Sequence, residues 1–214
     1  MHPYYYFCYL SIFLGFVPLS LFLISKNKLS KDVFLILPFL ALTFFASTYE
    51  LIFTLILKIE PYTWFKVYTS LEFFFLLHYF YKLLRQRYKY LYLFFGVLYT
   101  ACLGLIAFHG KIDVFMDGDG YLQVIESVFV ITAILLWMQY AFIRLQEDSL
   151  LKYSHFYFIS GLLFYFSGTL FLFLFGHFVL GNAEEFVEYW MLNLFFNIIF
   201  KLLLLVGIWK ARVQ

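Results

Sequence analysis

The chain has 214 residues, of which 64% are apolar and 13% are charged, and its formal net charge is +2. Soluble domains carry about 45–50% apolar and about 25% charged residues, so this chain lacks the polar surface that a water-soluble domain needs. Its charge content is too low for a disordered segment, and its two cysteines cannot build a small secreted disulfide protein. We therefore expect an integral membrane protein that is surrounded by lipid bilayer and binds no nucleic acid.

Seven apolar stretches follow one another, each close to the ~20 residues that a helix needs to cross a bilayer. They lack the alternation of apolar and polar residues that is typical of transmembrane strands. We predict an all-α, polytopic bundle of seven transmembrane helices that forms one domain over residues 1–214. The first stretch contains Pro18 and follows no basic residue, which favours a retained helix over a cleaved signal peptide. The predicted helices cover residues 4–24, 33–57, 62–81, 90–108, 121–143, 156–180 and 186–209.

Basic residues concentrate in the loops on one side of this predicted bundle. Those loops hold eleven lysines and arginines and three acids, whereas the loops on the other side hold three basic residues and seven acids. Basic loops stay in the cytoplasm, so we expect the amino terminus outside and the carboxyl terminus inside, in a bacterial cytoplasmic (inner) membrane. The eleven residues are Lys26, Lys28, Lys31, Lys82, Arg85, Arg87, Lys89, Arg144, Lys152, Lys210 and Arg212.

Four of the predicted helices carry polar residues on one face. On the second helix these residues recur every three or four positions, and Tyr68 shares a face of the third helix with Glu72. Gln123 and Glu126 share a face of the fifth helix. The polar residues of the second and seventh helices are Thr43, Ser47, Glu50 and Thr54, and Tyr189, Asn193, Asn197 and Lys201.

Ionisable residues inside the apolar sequence are the strongest signal of a site. Each such charge costs about 2.5–3.5 kcal/mol in a membrane helix, so these side chains should face the interior and find partners. We predict one ligand-binding site, a water-accessible cavity that opens to the outside, with Lys201 as its floor and Glu72 or Glu126 as the counter-ion of that lysine. The alternative is a set of interhelical hydrogen bonds in which at least one glutamate is protonated. The predicted site residues are Glu50, Glu72, Glu126, Asn193, Asn197 and Lys201.

Four basic residues between the third and fourth helices form a predicted cytoplasmic rim: Lys82, Arg85, Arg87 and Lys89. Each charge near an anionic membrane surface contributes about 1 kcal/mol to membrane binding. The rim is therefore expected to contact lipid, and the alternative is that it docks an acidic membrane signalling partner.

Small residues indicate close helix packing in two places. Gly96, Thr100 and Gly104 recur at every fourth position of the fourth helix, and Gly161 and Gly168 lie near one face of the sixth. Such stripes allow helix backbones to approach each other.

An acidic segment before the fifth helix partly matches a calcium-binding loop. The run from Asp117 to Gly120, followed by Glu126, fits four positions of an EF-hand loop, but Phe115 occupies the first ligand position. We interpret the run as a glycine turn between helices, and calcium binding by Asp117 and Asp119 stays an open alternative.

Motifs for catalysis are missing from the sequence. No two histidines stand four residues apart on a helix, and there is neither a glycine-rich nucleotide loop nor a Gly-x-Ser-x-Gly sequence. We expect no enzyme activity, no catalytic residue, no metal and no cofactor. The predicted function is a sensor or receptor-like protein, or a signalling accessory protein, that binds a small ligand or protons. The alternatives are a small-solute or proton-coupled transporter and, less favoured, an intramembrane enzyme.

Two resemblances bear on this prediction. The run Phe164–Thr169 and the segment from Asn197 to Lys210 resemble uncharacterised seven-helix bacterial membrane proteins, some associated with histidine-kinase signalling, which implies a sensory or accessory role. Seven helices with Lys201 in the last and Glu72 in the third are also similar to retinal-binding rhodopsins, in which these residues would be the Schiff-base lysine and its counter-ion. Asn197 stands where the microbial rhodopsins have an acid, so retinal binding is disfavoured.

Overall fold

The architecture is a helical bundle. In a computed structural model of the protein, the described residues are 3–59, 62–84, 87–108, 117–144, 150–179 and 183–213. They include no β-strand, and the predicted all-helical class and the seven helices are confirmed. The helices are α1 (Pro3–Ser25), α2 (Leu37–Tyr49), α3 (Tyr62–Leu83), α4 (Lys89–Phe108), α5 (Asp117–Arg144), α6 (Ser154–Val179) and α7 (Ala183–Val213).

Three kinds of helix replace the single predicted second helix. A 3-10 segment (Lys31–Ile36) precedes α2, and a π-helical segment (Glu50–Ile56) follows it. Pro38 lies in the first turn of α2, where its missing N–H costs no intrahelical hydrogen bond. The π segment ends before Lys58, which adopts a positive φ of 55°. Glu50 is therefore the first residue after the regular α-helix.

Six of the helices are long and apolar enough to cross a membrane, which indicates an integral membrane protein. Among the described residues, α3 does not reach the same apolarity, because Lys66, Glu72 and His78 lie within it. The six spans are Tyr4–Lys28, Lys31–Ile56, Lys89–Ile106, Gly120–Ile143, Ser154–Leu174 and Val187–Arg212.

Helices α1 and α7 run in parallel, side by side. Ser11 of α1 contacts Lys201 of α7, and ten residues later the carbonyl of Leu21 accepts a hydrogen bond from Arg212 at 3.3 Å. The first halves of both helices therefore lie at the same end of the bundle, which we call the amino end.

The predicted close approach of small residues holds for α6. A Cβ atom added at Gly168 would lie 2.7 Å from Cδ1 of Phe196, and one added at Gly161 would lie 3.1 Å from Cβ of Leu203, both on α7. The interpretation is wrong for Gly104 on α4, where an added Cβ would meet no described atom within 4 Å. A glycine stripe in a membrane helix does not by itself say which face is packed.

Aromatic rings fill the core between α3, α4 and α5. Phe73 stacks on Tyr99 with ring centres 3.9 Å apart, and Phe129 packs edge-on against Phe73 at 5.5 Å. All three side chains are fully buried. Helix α3 thus packs one face into the core, whereas Val67, Leu71 and Phe74 on its other face are exposed.

The predicted turn before the fifth helix is wrong. The run from Asp117 to Gly120 forms the first turn of α5, and Glu126 lies two turns further along the same helix. The Asp117 and Asp119 side chains lie outside the described residues. Within the described part of the chain, no three histidine, cysteine, aspartate or glutamate side chains cluster as metal ligands.

Candidate functional site

A polar cavity lies in the half of the bundle that contains the amino end. Its volume is about 90 Å³, which holds roughly six to nine water molecules at about 10–15 Å³ each. Pockets for drug-sized ligands are larger, on the order of 300 Å³ and above. The cavity therefore suits a very small solute or a group of waters, and its size does not fit retinal. Its wall contains Ser11, Thr43, Ala46, Ser47, Glu50, Trp64, Phe65, Tyr68, Tyr165, Trp190, Asn193, Leu194, Asn197 and Lys201.

The amine of Lys201 is held by α1. Lys201 is 5% exposed, and its Nζ donates hydrogen bonds to the carbonyl oxygen of Ser11 at 2.9 Å and to its Oγ at 3.0 Å. Ser11 Oγ in turn donates to Oδ1 of Asn197 at 3.1 Å. An ammonium group has three N–H donors, so one remains for the cavity. Ser11 was missed in the sequence, because α1 carries no charged residue that would mark a polar face.

Glu50 supplies the opposite charge. It begins the π segment, lines the cavity and interacts electrostatically with Lys201. Glu72 is the second carboxyl group that acts on Lys201, whereas the charge that acts on Glu126 is that of Glu72. The cavity thus has an acidic and a basic side chain on facing helices.

Close packing of α1 on α2 brings Ser47 and the amine of Lys201 to the same glycine. A Cβ atom added at Gly15 would lie 2.8 Å from Cβ of Ser47 and 3.5 Å from Nζ of Lys201. Only glycine leaves enough room for Ser47 and Lys201 at this crossing.

Aromatic side chains line the cavity toward the start of α3 and α7. Trp64 stacks on Tyr49 with ring centres 4.6 Å apart, and Phe65 meets Trp190 edge-on at 5.8 Å. Trp64, Phe65 and Trp190 therefore give this part of the wall an aromatic surface.

The six predicted site residues fall into two groups. Four of them line the cavity: Glu50, Asn193, Asn197 and Lys201. Glu72 and Glu126 do not line it and are 5% and 1% exposed. Tyr68, which lines the cavity, donates a hydrogen bond of 3.2 Å to Oε1 of Glu72.

The predicted basic rim lies at the opposite end, where α3 ends and α4 begins. Lys82, Arg87 and Lys89 are exposed, and Arg85 lies outside the described residues. The Lys89 amine lies 5.1 Å above the ring of Tyr90. Lys82, Arg87 and Lys89 do not line the cavity, and their side chains lie on the surface.

The chain matches no protein-family model, and no curated protein or solved structure is significantly similar to it. Functional conclusions therefore rest on the chemistry of the cavity and of the residues around it.

Proposed function

We propose that the protein is a sensor or receptor-like protein of a bacterial cytoplasmic membrane that binds a small polar ligand in this cavity. The observation that carries the proposal is that Glu50 and Lys201 lie on one polar cavity inside a bundle of apolar helices. Charges are rare at such depth and mark functional sites, because each one costs free energy on insertion.

The positive-inside rule supports a cavity that opens outward. The cavity lies toward the amino end of the bundle, and the basic rim lies at the other end. With basic residues retained in the cytoplasm, the amino end faces outside and the rim faces the cytoplasm. In this arrangement a ligand binds from outside, and the rim passes the signal to an acidic partner at the inner surface.

The best ligand by charge and size is a small zwitterion. Its carboxylate would accept the free N–H of Lys201, and its amine would lie near Glu50 and the aromatic wall at Trp64. The cavity holds about six to nine water molecules, and each water occupies about the space of one non-hydrogen atom. The ligand is therefore limited to about six to nine non-hydrogen atoms. Glycine is within this limit.

Tryptophan fluorescence provides the test, because Trp64 and Trp190 lie in the wall. We expect glycine to produce a saturable change in the purified protein in nanodiscs, and acetate and methylamine to act more weakly. Glu50→Gln and Lys201→Met should weaken the glycine response by about tenfold or more, the equivalent of ~1.4 kcal/mol. Glu188→Gln, on an exposed residue, is the matched control. A response equal in all variants, or no saturable response, would contradict the proposal.

A transporter is the second candidate, because the same cavity contains an interruption of regular helix geometry. The π segment Glu50–Ile56 interrupts regular helix geometry at a cavity residue, and π segments frequently occur at functional sites. A transporter would carry the ligand across proteoliposome membranes, whereas a sensor binds it without flux. Uptake of labelled glycine that is abolished by Glu50→Gln would establish the transporter.

A further inference from the structure

Two buried carboxyl groups lie next to the cavity without lining it. Glu72 on α3 is 5% exposed and Glu126 on α5 is 1% exposed, and their charges act on each other. Glu72 accepts the hydrogen bond of Tyr68, but Oε1 of Glu126 is buried with no hydrogen-bond partner among the described residues. A buried carboxylate without a donor costs far more free energy than the neutral acid in the same place.

A charge count gives the number of protons in this region. Glu50, Glu72 and Glu126 are three carboxyl groups, and Lys201 is the one buried lysine or arginine within the described ranges. If all four groups were ionised, three negative charges and one positive charge would leave a net charge of −2, with Glu72, Glu126 and Lys201 buried and Glu50 half-buried at the cavity. Neutrality therefore requires protons on two of the three carboxyl groups.

The position of Lys201 indicates where the protons reside. Its electrostatic partners are Glu50 and Glu72, and the charge that acts on Glu126 is that of Glu72. Lys201 thus balances Glu50 or Glu72, and Glu126, which is buried and has an oxygen without a hydrogen-bond partner among the described residues, is the carboxyl group least able to hold a charge. Glu72 is the carboxyl group with a hydroxyl contact toward the cavity.

We propose that Glu72 and Glu126 form a proton-binding site behind the cavity, and that Tyr68 transfers the proton between cavity water and Glu72. In the uptake direction, the Tyr68 hydroxyl gives its proton to Oε1 of Glu72 and takes one from hydronium in the cavity. Tyr68 stays neutral overall, one proton moves, and no electrons are exchanged. This proposal goes beyond ligand binding and does not depend on it.

Every helix packed around the site contributes to its electrostatics. Tyr165 of α6 lines the cavity and interacts with both carboxyl groups, and Tyr99 of α4 stacks on Phe73 beside Glu72. The titratable groups that interact with the pair are Tyr68, Tyr165 and Lys201, and Glu50 interacts in turn with Tyr165 and Lys201.

Infrared spectroscopy of protein labelled with ¹³C-glutamate tests the site, because protonated carboxyl groups have their own carbonyl band. In nanodiscs at pH 7 without ligand, we expect glutamic acid bands in the wild-type protein, one lost in Glu126→Gln and one altered or lost in Glu72→Gln. Glu188→Gln, at an exposed position, should change neither. If Glu126→Gln does not fold, Glu126→Asp should move its band to the unlabelled position. Absence of acid bands at pH 7, or bands untouched by changes at both residues, would overturn the proposal.

Tyr68→Phe tests the route of the proton. Deuterium exchange of the Glu72 band after dilution into D₂O should slow by about tenfold, because the hydroxyl that reaches the carboxyl group is gone. Tyr79→Phe is the matched control, since it removes a buried tyrosine hydroxyl, bound to His155 Nδ1 at 2.9 Å, at the other end of α3. Equal exchange rates in wild type and Tyr68→Phe would overturn the assigned route.

Discussion

The amine of Lys201 is hydrogen-bonded to Ser11, which lies 190 positions earlier in the chain. Both acceptors of this residue are used, the carbonyl oxygen at 2.9 Å and Oγ at 3.0 Å. A buried ammonium group needs such partners, because each unmade hydrogen bond to a charged group costs more than a neutral one. The contact joins α1 to α7 and aims the remaining N–H of Lys201 at the cavity.

The first prediction concerns this contact. Ser11→Ala removes one of the two acceptors and should lower the free energy of unfolding by about 1–3 kcal/mol. Combined with Lys201→Met, its effect should be less than additive, with a coupling of about 0.5–3 kcal/mol. Unfolding in mixed detergent micelles measures both values. Ser20→Ala on the exposed side of α1 is the control, and strictly additive losses would show that the contact contributes nothing.

The second prediction identifies the carboxyl groups that balance Lys201. Lys201→Met leaves Glu50 and Glu72 without the cation that acts on them, so adding Glu50→Gln or Glu72→Gln should recover part of the lost stability. Glu126→Gln should not recover it, since the charge that acts on Glu126 is that of Glu72. Recovery by Glu126→Gln alone would contradict the assignment of Glu50 and Glu72 as the carboxyl groups that balance Lys201.

The third prediction concerns the α1–α2 crossing. Gly15→Ala places a Cβ atom 2.8 Å from Cβ of Ser47 and should destabilise the protein by about 1–3 kcal/mol. Adding Ser47→Gly should restore most of this loss. Gly104→Ala is the matched control, and it should be neutral or stabilising by up to about 1 kcal/mol, because its added Cβ meets no described atom within 4 Å. Equal effects of the two alanine substitutions would contradict the packing at Gly15.

The class of fold could be predicted from composition and apolar length, because a bilayer imposes both on every crossing helix. The exact form of α2 could not. No spacing in the sequence marks its 3-10 and π segments, and Glu50 stands at the start of the π segment.

The polar faces of single helices were readable from spacing, but their rotation relative to one another was not. Periodicity put Glu50 and Glu72 on helix faces, yet only the packed bundle places Glu50 on the cavity and Glu72 behind Tyr68. The partner of Lys201 was unpredictable for the same reason. The polar neighbours of Ser11 on its helix face are Cys8 and Tyr4, and no charged residue in α1 marks that face as polar.

The fourth prediction concerns the basic rim. Arg85→Gln combined with Arg87→Gln should leave folding and ligand binding unchanged, since Arg87 is exposed and distant from the cavity. If the rim docks an acidic partner, the amount of that partner that co-purifies with the double variant at low salt should fall by about tenfold. Low salt is chosen because dissolved ions screen the attraction between surface charges. Lys66→Gln, outside the rim, is the control. A partner that stays bound to the double variant would reduce the rim to a contact with lipid.

The most direct test of an outward-facing cavity is the reactivity of a cysteine at Asn193, in a background where Cys8 and Cys102 are serine. The small cation aminoethyl methanethiosulfonate, which is within the size limit set by the cavity, is added to intact cells whose cytoplasm contains a thiol scavenger. We predict that Asn193→Cys reacts from outside, and that Leu135→Cys, on an exposed apolar position of α5 facing lipid, does not. Reaction of Asn193→Cys only after the reagent is given access to the cytoplasmic side, or no reaction from either side, would contradict the account.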